Sequence, residues 1–290
     1  MKRSSVARKP LSVLLTSSDS TRSGQYKGAP RGALLLSAWW AAVALGLSAC
    51  APLHPAGGTA VLATPPGAEA HCIAEWQRYT LPGKRATSYS AGADAGRPAL
   101  LARADRSASM LRHPTRIEPD ALGQLSFSWR VRNLVEGGDV RERDSDDAPA
   151  RLALSFSGAE ARLPARDLML FDLAEAVSGE RPPFATLMYV WDAKTPVGQV
   201  VPNPRSDRVR KIVLESGAEN LGQWRTYQRD IVADYTRVFG EPPGALVGIA
   251  LMTDADNTSS QTTAAYGPVC LTPAPATVAQ PALAPEPPAR

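Results

Sequence analysis

"LSFSWRVRN", residues 125–133, alternates without a break. Leu125, Phe127, Trp129 and Val131 occupy one phase of a period of two, and Ser126, Ser128, Arg130 and Arg132 occupy the other. Successive side chains of a strand point to opposite faces, so the pattern describes a strand with one apolar and one polar face. "RLALSF" (151–156) repeats it with Leu152, Leu154 and Phe156. "ATLMYVW" (185–191) and "ALVGIALM" (245–252) are apolar runs rich in branched and aromatic residues. Shorter strands are expected over 74–79, 85–90, 98–104, 207–215, 223–229 and 263–271. Turn-like clusters such as "LPGK", "DAGRP" and "PNPRSD" separate them. Two segments have helical spacing instead. In "ARDLMLFDLAEAVSG", Leu170, Leu173, Ala174 and Val177 form a stripe and Gly179 suits a C-cap. In "RDIVADYTRVFGEPPG", Ile231, Tyr235, Val238 and Phe239 form another, with Asp230 as N-cap and Gly240 as stop. The expected fold is mainly β: an antiparallel, jelly-roll-like β-sandwich with two short inserted helices.

The two ends of the chain read differently. A basic leader containing Lys2, Arg3, Arg8, Lys9, Arg22, Lys27 and Arg31 precedes "GALLLSAWWAAVALGLSAC". A charged region, a short apolar run and small residues describe a secretory signal, and Leu47-Ser48-Ala49-Cys50 resembles the bacterial lipobox. Residues 1–49 are therefore expected to be removed and Cys50 lipidated, an uncleaved membrane anchor being the alternative. Residues 50–70 form a Pro/Ala/Gly tether and 272–290 a Pro/Ala tail, neither with enough apolar surface to offset ordering entropy. The folded domain is expected over 71–271.

This division changes the reading of charge. Of 32 basic residues, seven lie in the leader and one in the tail; of 28 acids, Asp19, Glu69 and Glu286 lie outside 71–271. The domain keeps 24 bases against 25 acids, so the chain's pI of 9.1 mostly reports the leader. A nucleic-acid partner loses its support. Cys72 and Cys270 stand at the two ends of the domain. In an oxidising compartment such a pair is expected to form a disulfide, which requires the first and last strands to be neighbours; two free thiols are the alternative.

The order of motifs "LPGKRATSY", "SWRVRN", "SDDAPARLALSF", "ATLMYVW", "PNPRSDRVRKIVLESG", "GQW…RDIVADYTRVFGEPP" and "VGIALMTDADNT" resembles a bacterial family of unknown function, DUF3047, over about residues 73–271. The resemblance implies an exported or envelope-associated β-sandwich and carries no activity. The chain departs from the family pattern at Ser145 and Ser259, where a glycine would be usual. Both are loop positions.

Several chemistries lack their residues. His71 and His113 are the domain's histidines, and no Gly-x-Ser-x-Gly elbow, P-loop or dinucleotide fingerprint is present. A Ser-His-Asp triad would have to use His113, in the loop-like "RHPTR". Acids remain. Asp146 and Asp147, with Asp144, precede one strand; Asp254, Asp256 and Asn257 follow another. If the two loops meet, Asp146, Asp147, Asp254, Asp256 and Asn257 are hard oxygen ligands suited to Ca²⁺, though the EF-hand pattern fails at Thr258 and Ser259. As catalytic candidates, Asp254, Asp256, Asp146 and Asp147 would pair across a glycan. The bland alternative is that they cap turns through their own backbone.

Strand parity gives a second constellation. Tyr189 and Trp191 share a phase, as do Gly248, Ala250, Met252 and Asp254. If Arg130, Arg132, Tyr189, Trp191 and Asp254 share one concave face, they form a polar floor with aromatic platforms for sugar rings. The alternative places these aromatics in the core. "PNPRSDRVRK" adds Asn203, Asp207 and Arg208, more in keeping with a solvated strand face than with an anion site. The expectation is a lipid-anchored protein, exported and held to the periplasmic side of the envelope at the outer membrane. Its sandwich would bind a glycan or another envelope component without catalysis. A carboxylate-dependent polysaccharide enzyme and a structural assembly partner are the alternatives.

Overall fold

The computed structural model describes residues 69–275. The leader, Cys50, residues 50–68 of the tether and residues 276–290 of the tail lie outside the described residues. In chain order the elements are β1 (His71–Cys72), β2 (Gln77–Thr80), β3 (Ser88–Asp94), β4 (Arg97–Asp105), β5 (Ala108–Ile117), β6 (Gln124–Val131) and β7 (Ala150–Phe156). Then follow α1 (Ala165–Ser178), β8 (Ala185–Asp192), β9 (Val200–Asn203), β10 (Ser206–Ser216), β11 (Arg225–Asp230), α2 (Ile231–Phe239), β12 (Leu246–Asp254), β13 (Gln261–Tyr266) and β14 (Cys270–Thr272). Among the described residues no helix is long and apolar enough to cross a membrane.

The strands form two seven-stranded sheets. The first runs β1-β14-β6-β13-β4-β3, with β11 on the other side of β6; the second runs β2-β5-β12-β7-β8-β10-β9. Every pairing is antiparallel except β8 with β10. This is the jelly-roll-like sandwich with two inserted helices that the patterning implies.

The alternation in β6 sets the inner face of the first sheet. Leu125, Phe127, Trp129 and Val131 are all buried and meet Leu152, Leu154 and Phe156 of β7 and Leu187, Tyr189 and Trp191 of β8 in one core. Each large side chain buried there contributes about 1.5–3 kcal/mol. Phe127 touches both sheets, lying 5.2 Å from Tyr227 and 5.7 Å from Tyr189. Cys72 pairs in register with Cys270, and their disulfide joins the ends of the domain across 198 residues.

Both helices end on left-handed glycines, Gly179 and Gly240, a conformation that L side chains rarely adopt. Asp230 caps α2, accepting from the Ala233 amide at 2.8 Å, and Ile231, Tyr235 and Val238 are buried. The stripe expected in α1 is not the one that packs. Asp167 and Phe171 are buried, whereas Met169, Leu173 and Val177 are more than half exposed. The bulky Phe171 seats the helix; of the expected stripe, Leu173 and Val177 are turned outward while Leu170 and Ala174 are half-buried.

One central strand was not expected. β5 pairs with both β2 and β12, although it contains His113 and Pro114. Pro114 lies opposite Gly248, where the β5–β12 register shifts. A proline without an N–H is tolerated at such an irregularity. His113 therefore sits in a strand rather than a loop, its Nδ1 at 3.0 Å from the Glu75 carbonyl.

Candidate functional site

The outer face of the second sheet has two halves. Over one half lies the segment 132–149 that links β6 to β7. Its Val140 and Ala148 pack with Val190, Val201 and Val213, and Ala148 exchanges two bonds with Asp254: its amide donates to the carboxylate at 3.1 Å, and its carbonyl accepts from the Asp254 amide at 3.2 Å. The acidic loops thus meet, as the metal and catalytic readings required.

Their carboxylates are already taken. Arg151, on the outward phase of β7 and 3 % exposed, donates Nε to Asp254 at 2.8 Å and Nη2 to Asp254 and Asp146 at 3.1 and 3.0 Å. Fully buried Lys211 donates to Asp146 at 2.6 Å and to the Val140 carbonyl at 2.7 Å. Asn203 adds a third donor to Asp146. Asp147 accepts from the Thr258 amide and hydroxyl at 2.7 and 2.8 Å and from the Asn257 amide at 3.3 Å. Asn257 in turn donates to the Asp146 carbonyl, and Asp256 pairs with Lys84. Burial raises the Asp146 pKa, but the Arg151 and Lys211 charges outweigh it and hold the group below its ordinary value. Burial pushes Asp254 up to about 6 against the pull of Arg151, with Asp147 and Asp146 adding to the rise. Burial and then Arg151 push Lys211 down to about 8 against Asp146.

Oxygens of Asp147, Asp254 and Asp256 come within 4.8 Å of one another. A calcium ion needs six to eight oxygen ligands. Here the nearby positive charge is a guanidinium and two ammonium groups, and the carboxylates already accept from N–H and O–H donors. This donor set does not fit the ion. It fits a latch that fastens 132–149 to the sheet. Asp144 is exposed outside it.

The five expected ligand residues do not share a face. Tyr189 and Trp191 point into the core, both 0 % exposed; Tyr189 donates to Asp234 of α2 at 2.8 Å and Trp191 to the Gly217 carbonyl at 3.1 Å. Arg130 and Arg132 lie on the outer side of the first sheet, both bonded to Asp94. Asp254 faces outward from the second. Parity fixes which residues of one strand share a face, but not which face a sandwich turns inward. In the basic run, Arg208 pairs with Glu241 at 3.0 Å and stacks 4.0 Å over Phe184.

The other half of that outer face is open. A groove of ≈ 980 Å³ runs over small outward residues of adjacent strands, Ala153 and Ser155 of β7 and Gly248 and Ala250 of β12, with Met110 and Met188 beside them. β2 and the following turn supply one wall with Tyr79 and Pro82, and α1 and residues 180–183 supply another with Val177. Arg112 of β5 stacks its guanidinium 3.7 Å over the Tyr79 ring and donates both Nη groups to Glu180 at 2.7 and 3.0 Å. Glu180 is the single carboxylate among the lining residues, and its bond to Arg112 holds its pKa below the ordinary value. The outward phase of "RLALSF" was the signal for this groove: beyond Arg151 it offers small residues where a solvated sheet carries charge. A smaller cavity, ≈ 520 Å³, lies by the disulfide and contains no such ion pair among its lining residues.

Fold and site together define a two-sheet antiparallel sandwich with one outer face divided between a sealed charge cluster and an open groove. Over residues 74–270 the chain matches the family described as "Protein of unknown function (DUF3047)", and it belongs to that family. No curated protein matches it. Among solved structures it is similar to the endoglucanase cel12A from Rhodothermus marinus, at 10% identity and a TM-score of 0.37, covering 70% of this chain and 99% of that one. It is also similar to the xyloglucanase domain of NopAA from Sinorhizobium fredii, solved with cellobiose, at 9% identity and a TM-score of 0.38, covering 70% and 97%. A third is the glycoside hydrolase domain of Endo-D from Streptococcus pneumoniae R6, at 7% and 0.30; the match covers 68% of this chain and 21% of that one. At these values the likeness carries over no activity.

Proposed function

We propose that this chain is a lipid-anchored envelope protein whose sandwich binds a glycan, without catalysis, in the groove over β7 and β12. The observation that supports it best is the groove's make-up. It is concave and largely apolar, with the Tyr79 ring, the hydroxyls of Ser155, Ser178 and Thr186, the Arg112–Glu180 ion pair, and Arg181 and Arg205 also among its lining residues. Sites of this kind are mostly apolar with a few polar groups that fix orientation. Hydrolysis of a glycosidic bond generally uses two carboxylates about 5–10 Å apart. The groove offers one, already held by Arg112, so binding rather than cleavage is the chemistry it suits. Of the carboxylates named as catalytic candidates, Asp146, Asp147 and Asp254 are buried and bonded where residues 132–149 meet the sheet, and Asp256 at the edge pairs with Lys84.

The test is a glycan array probed with the full chain and with Tyr79→Ala. Signals on particular glycans that vanish in the variant are expected. Signals that persist unchanged would move the site elsewhere, an empty array would remove the glycan, and release of reducing ends would remove the non-catalytic assignment. The anchor has its own test: palmitate labelling is expected to be lost in Cys50→Ala, and retained labelling contradicts it.

A further inference from the structure

The outer side of the first sheet carries a different chemistry from either half of the second. The β3–β4 hairpin turns through Ala95 and Gly96, both at positive φ, and brings Asp94 beneath Arg130 and Arg132 of the β6 end. The Asp94 side chain is 1 % exposed, takes Arg130 Nη1 at 2.8 Å and pairs with Arg132, whose own side chain is 57 % exposed. Trp224 donates its Nε1 to the Asp94 carbonyl at 3.3 Å, and Arg97 lies 4.5 Å over the Trp224 ring. Arg103 of β4 shares this side of the sheet: it pairs across to Thr263, whose carbonyl takes the Arg132 amide. Among the described residues neither Arg97 nor Arg103 has a carboxylate within ion-pair distance. Arg85 and Arg106 share Asp105 at the far end of β4. Six arginines thus meet two carboxylates, in a domain whose total charge is near zero.

We propose that this surface binds a linear polyanion, an acidic polysaccharide whose carboxylates repeat along its length. A guanidinium is a planar fork matched to a carboxylate. The face already shows that recognition, since Arg130 and Arg132 hold the carboxylate of Asp94. Arg97 and Arg103 present the same fork to solvent with nothing opposite, and the Trp224 ring fixes the plane of Arg97. An anionic bilayer would suit the charge equally, but the large exposed apolar side chains that would enter its interface, Met169, Leu173, Val177 and Val197, are all outside this sheet. The surface is separate from the groove and does not depend on it.

Polygalacturonate is the probe, with neutral dextran and phosphatidylglycerol vesicles alongside, titrated against the full chain carrying Cys50→Ala. Binding to polygalacturonate that weakens as salt is raised to about 0.5 M is expected, with no binding to dextran. Arg97→Ala/Arg103→Ala should weaken it about tenfold or more. Because neither side chain holds an internal ion pair, the melting temperature should stay unchanged. Arg97→Lys/Arg103→Lys should recover only part of the affinity, and Tyr79→Ala should leave it intact. Equal binding by the alanine pair, equal binding of dextran, no binding of polygalacturonate at low salt, or binding confined to the vesicles would each overturn the proposal.

Discussion

The two halves of the second sheet's outer face are built from the same strands and do opposite things. Towards one end β7 and β12 present Arg151 and Asp254, and residues 132–149 close over them. A few residues along, the same strands present Ala153, Ser155, Gly248 and Ala250, and among the described residues no segment closes over them. The sealed half has the titratable groups that chemistry would want but no access; the open half has the access but a single, paired acid. Charged residues are a guide to function only where they are left with something to do. A buried carboxylate saturated by N–H donors fastens chain to chain.

The largest effect should come from breaking the sealed half. Arg151→Met leaves Asp254 and Asp146 short of their shared partner and should lower stability by about 3–5 kcal/mol, read as a fall in the urea midpoint. Arg151→Met/Asp254→Leu should recover much of this, because an apolar pair of similar volume replaces a desolvated ion pair.

A smaller effect comes from pH. The folded pKa of Asp254, about 6, lies above its ordinary 3.8, so the native state binds this proton more tightly than the unfolded chain. Its contribution is complete below about pH 4 and is lost as pH rises through 6, a change of about 2–3 kcal/mol. Asp146 and Asp94, held below their ordinary values, act in the opposite sense at lower pH. The difference between wild type and Asp254→Asn isolates the Asp254 limb: it should slope between pH 4 and pH 6 and be flat above. A flat difference throughout would mean that Asp254 stays ionised in its site.

In the open half the same kind of substitution should barely register. Tyr79→Ala is expected to change stability by about 1 kcal/mol or less, since the side chain is only half-buried on an edge strand and its neighbour Arg112 retains Glu180. The smallest expected effect is none. Calcium should leave the unfolding midpoint where it is, whereas an ion at a hundred times its Kd would add about 2.7 kcal/mol.

Much of this was legible in advance, with losses that have physical causes. Alternation in 125–133 and 151–156 located two core strands, because burial on one face writes a period of two. The Cys72–Cys270 bridge followed from the placing of the two cysteines at the ends of the domain, whereas the sequence left open whether the two acidic loops meet, because chain order does not say which strand ends are neighbours. Alternation places Tyr189 and Trp191 in one phase, but an aromatic on a strand reads the same whether it lines a surface or a core. β5 is hidden in the sequence because His113-Pro114 reads as a loop, and only the irregular register opposite Gly248 accommodates the proline. The groove announces itself only by small residues, and Ala153, Ser155, Gly248 and Ala250 become a feature once β7 and β12 are known to be neighbours.

The most direct measurement is calorimetric titration of one array-selected glycan against wild type, Tyr79→Ala and Asp256→Asn. Asp256 stands at the edge of the sealed half, where Lys84 is its partner and its loss should not unfold the domain. Affinity reduced about tenfold or more by Tyr79→Ala and unchanged by Asp256→Asn is the predicted result. Loss of binding in Asp256→Asn with Tyr79→Ala unaffected would place the site in the acidic cluster and contradict the division of the face drawn here.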